Sequence, residues 1–273
     1  MNLAFTKMHG LGNDFIVLDC RKKDIPGLSR VVKRLSDRRR GVGFDQALVL
    51  RKSVIADFRM DIYNSDGGRV EMCGNGVRCM ANYIWKRGLS RKAALSIETL
   101  AGIIRPAKDK DLVRVDMGEP ALEGRIIPVK AEGKVIDRPL EIGDRVFPVT
   151  CVSMGNPHCV IFVEAVESFP IAAYGPMIET NGFFPKRTNV EFVQVINKNR
   201  IRMRVWERGS GETPACGTGA CAAAVASNLK GLAGNSLNVV LDGGVLKIEW
   251  SKKDNRVYMT GPAVEVYSGE VTV

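Results

Sequence analysis

The chain has 273 residues, 45% hydrophobic and 26% charged, which is the balance of a globular protein with a real core and sets aside low-complexity and disordered classes. Much of its net charge of +10 lies in Arg21, Lys22, Lys23 and the stretch 34–40; with aromatic residues at only 7%, this reads as solvated basic faces rather than a nucleic-acid surface, and no nucleic-acid partner is expected. No apolar run approaches the length of a membrane span and the first residues lack the regions of a signal peptide, so a cytoplasmic location without membrane attachment is expected.

In chain order, residues 15–20 and 46–50 are short apolar runs and 59–63 alternates, which predicts three strands. Between them Leu28, Val31, Val32 and Leu35 have helical spacing and predict an amphipathic helix over 27–39. After Cys73 the positions Val77, Met80, Ala81, Ile84 and Trp85 form the apolar face of a helix that stops at Gly88. A strand over 112–117 follows, and the stretch 121–148, dotted with Pro128, Pro139 and Pro148, opens a second module. That module has predicted strands at 158–163, 190–196 and 201–206. An alanine-rich helix over 217–230, apolar nearly all round and therefore buried, ends at Gly231, and strands at 239–241, 245–250 and 257–260 complete it.

The two modules are copies. Met72-Cys73-Gly74-Asn75-Gly76 recurs as Ala215-Cys216-Gly217-Thr218-Gly219, with the cysteines at 73 and 216, 143 residues apart. The same spacing relates Gly12-Asn13 to Gly155-Asn156, Gln46 to Asn189 and Met60 to Met203; past the cysteines it slips to 142, relating Gly102 to Gly244, Arg114 to Arg256 and Pro120 to Pro262. The expected fold is α/β (α+β): two pseudo-symmetric duplicated domains, each a curled, mostly antiparallel sheet around a central helix. They span 1–118 and 119–262, with 263–273 returning to the first.

A cysteine at the mouth of a helix meets N–H groups that have no partner within the helix, and the positive end of its dipole. Two consequences are expected. The thiol pKa should fall toward neutrality, and a carboxylate can dock on the N–H groups of Gly74-Asn75-Gly76 and Gly217-Thr218-Gly219, where the missing Cβ atoms allow close approach. Two such thiols facing one carbon can remove a proton from one face and return one to the other, the logic of a cofactor-independent racemase or epimerase. A single buried cysteine is ordinarily just core; the paired Gly-rich setting lifts Cys73 and Cys216 above that, while Cys20, Cys79, Cys151, Cys159 and Cys221 lack it and are expected to be core. No metal site is expected, because Cys73 with Cys79 and Cys216 with Cys221 lack zinc spacing and the chain has two histidines. With seven cysteines and no Cys-x-x-Cys pair, reduced thiols are expected.

Asn13, Gln46, Asn64, Asn156 and Asn189 fall at or near strand ends, where amides could hold a polar substrate. The repeat pairs Asn64-Ser65 with Glu207-Arg208, so one copy has gained a charged pair: either a grip on a second amine and carboxylate, or a surface ion pair of little worth. His158, in register with Phe15, either tunes a thiol or is structural; His9 reads as structural. A redox or amino-acid-binding protein whose Cys73 and Cys216 oxidise to a disulfide is the reading from another class.

At these residues the chain resembles the diaminopimelate epimerases. The resemblance is carried by the stretches 7–15, 63–68, 71–79, 155–158 and 207–221, and it extends over essentially the whole sequence. It implies a two-domain fold with the active site in the cleft between domains, and Cys73 and Cys216 as the base and acid pair, without pyridoxal phosphate or metal. It further implies LL-2,6-diaminopimelate as the substrate, converted to the meso isomer for lysine and peptidoglycan synthesis. Asn13, Asn64, Asn156, Asn189, Glu207 and Arg208 would hold it, and Gly74-Asn75 and Gly217-Thr218 would meet its reacting carboxylate. Gln46 would help close the cleft, His158 and Glu207 would tune the thiols, and the enzyme would be a homodimer. The proline racemases share the paired cysteines, but their first block resembles Cys-Gly-His where this chain has Cys73-Gly74-Asn75.

Overall fold

Apolar runs become strands and the two cysteine loops open onto helices in the computed structural model of the chain, which describes residues 2–273. The residues divide into two units, one of residues up to Asp116 together with Thr260–Val273, the other Met117–Met259.

The first unit runs β1 (Asn2–Gly10), β2 (Asn13–Asp19), α1 (Leu28–Leu35), β3 (Gln46–Arg51), β4 (Phe58–Asn64), β5 (Arg69–Val70), α2 (Gly74–Lys86), β6 (Ile97–Thr99), β7 (Gly102–Ile104), β8 (Pro106–Asp109) and β9 (Leu112–Asp116). The second contains β10 (Arg138–Ile142), β11 (Arg145–Ser153), β12 (Pro157–Phe162), α3 (Ile171–Glu179), β13 (Asn189–Asn197), β14 (Arg200–Glu207), β15 (Gly211–Thr213), α4 (Gly217–Leu229), β16 (Ser236–Leu241) and β17 (Gly244–Trp250). β18 (Val257–Gly261) then leads out of it, and β19 (Val264–Thr272) completes the first.

In the first unit the sheet order is β19-β1-β2-β3-β4-β6-β7, with β5 on β4. Two pairs are parallel: β2 with β3, across α1, and β4 with β6, across α2. The second unit repeats this as β10-β11-β12-β13-β14-β16-β17, with β15 on β14, and its parallel pairs are β12 with β13, across α3, and β14 with β16, across α4. The duplicated, mostly antiparallel α/β architecture expected from the repeat is the one observed.

Side chains alternate between the faces of a strand. In the first unit Ile16, Leu18, Ala47 and Val49 pack with Leu28, Val32 and Leu35 of α1. Phe15, Val17, Leu48 and Leu50 therefore point to the other face, where α2 lies. In the second unit Cys159, Ile161, Val190 and Phe192 pack with Ile171 and Ile178 of α3. That leaves His158, Val160, Glu191 and Val193 on the α4 face, all fully buried.

The structure corrects one sequence expectation and adds strands in two stretches for which none was expected. The helix over 27–39 ends at Leu35, because the Asp37 carboxylate accepts the N–H groups of Arg39 and Arg40 and the Leu35 carbonyl is taken by Val42 and Gly43. Strand β1 has no alternation to announce it: Phe5, Thr6, Lys7 and Met8 are all buried, the lysine by pairing with Asp14 at 2.6 Å. The proline-dotted opening of the second module contains the β10–β11 hairpin. Pro139 and Pro148 sit opposite one another there, β10 is an edge strand, and pairing of β11 with β12 begins only at Val149.

The returning segment is held to α2 from its buried side. Arg78, fully buried, donates from Nε to the Pro262 carbonyl at 3.2 Å, and Asn82 donates from Nδ2 to the Ala263 carbonyl at 2.6 Å.

Candidate active site

The topology gathers the polar residues at one end of each sheet. Asn13 begins β2, Gln46 begins the parallel β3, Asn64 ends the antiparallel β4, and Cys73 precedes α2. In the second unit Asn156 precedes β12, Asn189 begins β13, Glu207 ends β14 and Cys216 precedes α4. The corresponding end of each sheet thus carries matching amides and a matching cysteine, with Glu207 standing where the first copy has Asn64.

In the first unit Cys73 is the N-cap of α2 in extended conformation, and its Sγ accepts the Gly76 N–H at 3.4 Å. A Cβ on Gly76 would lie 2.9 Å from Leu48 Cδ2, so the glycine lets this turn press closely against the sheet without turning that methyl aside. The N–H groups of Gly74 and Asn75 are ones a helix leaves without an internal acceptor. Asn13 Oδ1 lies 3.8 Å from the sulfur and accepts from Asn75 Nδ2 at 3.3 Å. Asn13 is in turn held by Asp45, which accepts its Nδ2 at 2.9 Å, and Asp45 is held by Arg38 at 2.7 Å. Burial works against the charge of Asp14 at the centre of this network, but hydrogen bonds from Arg38 and Lys7 outweigh it and hold the carboxyl well below its usual range. Gln46 Nε2 donates to Asn64 Oδ1 at 2.9 Å. Among the described residues, the buried atoms Gln46 Oε1 and Asn75 Oδ1 have no hydrogen-bond partner, a costly arrangement that a polar ligand would relieve.

In the second unit Cys216 caps α4 in the same way, accepting the Gly219 N–H at 3.4 Å, with the Thr218 hydroxyl 3.6 Å from the sulfur. Asn156 Nδ2 donates to Thr218 Oγ1 at 3.3 Å, and Asn156 Oδ1 faces His158 Nε2 at 3.0 Å. His158 does not touch the sulfur; it reaches it through Asn156 and Thr218. The loop after β14 is fixed from both sides. Asn189 Oδ1 accepts the Arg208 N–H at 3.0 Å, Glu179 accepts the Gly209 N–H at 2.9 Å, and the Thr213 hydroxyl donates to Glu207. Arg208 itself donates from Nη1 to the Lys186 carbonyl at 3.2 Å, so Glu207 and Arg208 are not an ion pair with each other.

The expected fall in thiol pKa does not hold at Cys216. Burial pushes this thiol well above its ordinary value, and the nearby carboxylates of Glu207 and Glu191 push it further; the Thr218 hydroxyl and the Gly219 N–H pull it down but are outweighed. Desolvation beats the helix end here because the sulfur is almost sealed from water. The remaining cysteines, Cys20, Cys79, Cys151, Cys159 and Cys221, are buried. His9 receives the Gly12 N–H at its Nδ1, at 3.4 Å.

One residue of this half-site is absent from the sequence reading. Glu191 is fully buried in β13, with Oε1 2.7 Å from His158 Nδ1. Its signal lay in the repeat: position 191 is 143 residues after Leu48, as His158 is 143 after Phe15.

A sequence model of the family described as diaminopimelate epimerase matches residues 5–123 and 150–266 of the chain. The chain is 51% identical over 275 residues to a diaminopimelate epimerase of Moorella thermoacetica, covering 98% of this chain and 99% of that one. It is 48% identical over 278 residues to one of Methanococcus maripaludis, covering 99% and 100%. Among solved structures, a phenazine biosynthesis protein of the PhzF family from Bacillus anthracis matches with a TM-score of 0.71 at 18% identity, over 100% of both chains. A hydroxyproline epimerase from Agrobacterium vitis matches with a TM-score of 0.68 at 15% identity, over 99% of this chain and 92% of that one. At those identities the likeness concerns the fold.

Proposed function

The chain belongs to the diaminopimelate epimerase family, and from that premise we propose that it converts LL-2,6-diaminopimelate to the meso isomer with two cysteines and no cofactor. The observation that carries the proposal is the duplicated cap: in each unit a cysteine Sγ receives the N–H of the glycine three residues on, beside backbone N–H groups open to a carboxylate.

The chemistry runs as a proton exchange at one α-carbon. Cys73, as thiolate, takes the α-proton; the C–H bond breaks, an S–H bond forms, and the electron pair spreads into the substrate carboxylate. Helix-end N–H groups of Gly74-Asn75 and Gly217-Thr218 stabilise that charge. Cys216, which burial keeps protonated, gives its proton to the opposite face and becomes the thiolate. Its new charge is met by the Gly219 N–H and the Thr218 hydroxyl. The reverse reaction exchanges the two roles.

Asn13, Asn64, Asn156, Asn189, Glu207 and Arg208 hold the substrate in this reading. Glu207 and Arg208, which have no charged counterpart in the first copy, suit its distal amine and carboxylate. Gln46, hydrogen-bonded to Asn64, supports that grip. A cytoplasmic homodimer serving lysine and peptidoglycan synthesis completes the proposal. No helix of the described residues is long and apolar enough to cross a membrane.

The test is incubation of the reduced, dialysed protein with LL-diaminopimelate in D2O. Meso product carrying α-deuterium, formed without added cofactor, is the expected result. Substrate that binds but neither exchanges nor inverts would overturn the substrate assignment.

A further inference from the structure

The two copies differ at the pair of positions behind the cysteine loop. In the first unit these are Phe15 and Leu48, both fully buried, with Leu48 lying against Gly76. In the second they are His158 and Glu191, equally buried, with Glu191 Oε1 lying 2.7 Å from where a Cβ on Gly219 would be. The fold accepts an apolar pair here. A buried ion pair or acid–imidazole pair rarely stabilises more than the apolar pair that could replace it. Stability therefore does not account for His158 and Glu191, and their connection does: a continuous line of hydrogen-bonding groups from Glu191 to His158 at 2.7 Å, to Asn156 at 3.0 Å, to Thr218 at 3.3 Å and to the Cys216 sulfur at 3.6 Å.

The orientation of the Asn156 amide gives the line one sense. Asn156 presents Oδ1, an acceptor, to His158, so the ring must carry its proton on Nε2. Asn156 then presents Nδ2, a donor, to Thr218, so the hydroxyl accepts there and its own proton is left for the sulfur. A neutral imidazole alone can take either tautomer. With its proton on Nδ1 instead, Nε2 becomes an acceptor, the amide turns over, and the threonine proton is drawn away from Cys216.

We propose that Glu191 is a positioning residue for the reaction: it holds the His158 proton on Nε2, and through Asn156 aims the Thr218 hydroxyl at the Cys216 sulfur. The role in turnover rests on the epimerase reading above; the tautomer and the aim of the hydroxyl do not. Burial raises Glu191's own hold on a proton, against the pull of His158, and Glu207 adds to the rise. Protonated, Glu191 donates to Nδ1 and leaves the ring's own proton on Nε2. The remaining charged group facing Cys216 is Glu207, at the end of β14.

The test uses the full chain and 15N spectra of the ring nitrogens, which are tractable because the only histidines are His9 and His158. The expected wild-type result is a protonated Nε2 on His158; a bare Nε2 with the proton on Nδ1 overturns the proposal without any mutation. Glu191→Gln can still donate to Nδ1 and should keep the Nε2 proton and most of kcat. Glu191→Leu should lose both, with kcat down by about tenfold or more and KM little changed. Both variants lack the carboxylate charge, so Cys216 should titrate higher in Glu191→Leu than in Glu191→Gln, read from its 13Cβ shift in a Cys73→Ala background. Equal titration in the two also overturns the proposal. If Glu191→Leu does not fold, the wild-type and Glu191→Gln spectra decide. Ring and thiol titrations need no substrate, so a failed epimerase assay leaves them readable.

Discussion

Replacing one glycine behind each cysteine by alanine should separate the two half-sites. At Gly219 the new Cβ would stand 2.7 Å from Glu191 Oε1, where ordinary contact begins at 3.4 Å, so the carboxylate must retreat by about 0.7 Å. It has little freedom to do so, being fully buried and bonded to His158 at 2.7 Å. Spoiling that hydrogen bond costs about 1–3 kcal/mol, against a gain of at most about 1 kcal/mol for alanine over glycine within a helix. A net loss of about 1–2 kcal/mol is expected for Gly219→Ala. At Gly76 the new Cβ would stand 2.9 Å from Leu48 Cδ2, the end of a flexible chain. Turning it costs about 0.5–1.5 kcal/mol, which the same helix gain nearly cancels. Thermal melts should therefore show Gly76→Ala close to the parent and Gly219→Ala lower by a few degrees, at about 2–4 °C per kcal/mol. Equal melting of the two variants would refute the claim that a constrained carboxylate, not a yielding methyl, lies behind Cys216.

Cys73→Ser and Cys216→Ser should each reduce epimerisation by at least about a hundredfold, since a serine hydroxyl is a far weaker base than a thiolate; full turnover in either, measured by chiral chromatography, would exclude the two-thiol mechanism. Glu207→Gln removes a negative charge that raises the Cys216 pKa, so the thiol should ionise at lower pH than in the parent, and KM should rise. An unmoved thiol titration would remove Glu207 from its surroundings. Burial also pushes Cys20 up to about 11 and Cys79 up to about 12, and raises Cys159 and Cys216. These groups hold protons in the folded state that the unfolded chain releases above about pH 8.5–9. Their contribution is full below that pH and is lost as pH rises toward the folded values, at up to about 1.4 kcal/mol per pH unit per thiol. Urea unfolding at pH 7.5 and pH 10 should show the loss, and Cys79→Ala should shrink it.

What the sequence made legible follows from its periodicity and its repeat. Helix α2 was readable because Val77, Met80, Ala81 and Ile84 keep helical spacing to the stop at Gly88, where φ is +65°. The amides at 13, 46, 64, 156 and 189 were readable from a register that the sheets then reproduce strand by strand. Helix α3 was not readable, because Gly175 and Pro176 interrupt it; the glycine is there to let Trp206 pack on the helix, since a Cβ would meet the indole at 2.6 Å. Glu191 was hidden for a different reason. Between Val190 and Phe192 it reads as the wet position of an alternating strand, and only the packing of α4 over that face shows it to be dry. The pKa of Cys216 was misjudged on the same account: the helix end is local and visible in sequence, the desolvation is tertiary.

Strand β1 pairs with β19 from Asn2 with Thr272 to His9 with Val264, so its partner is made some 260 residues after it. At ribosomal speeds of about 5–20 residues per second, that is an interval of roughly 13–50 s. During that time the first unit has an open sheet edge, the kind of surface that invites mispairing with other chains, whereas every strand from β10 to β17 is synthesised as one uninterrupted block. On the nascent chain the second unit can thus be finished while the first is still waiting. Crowded synthesis is therefore a condition that exposes this edge to aggregation.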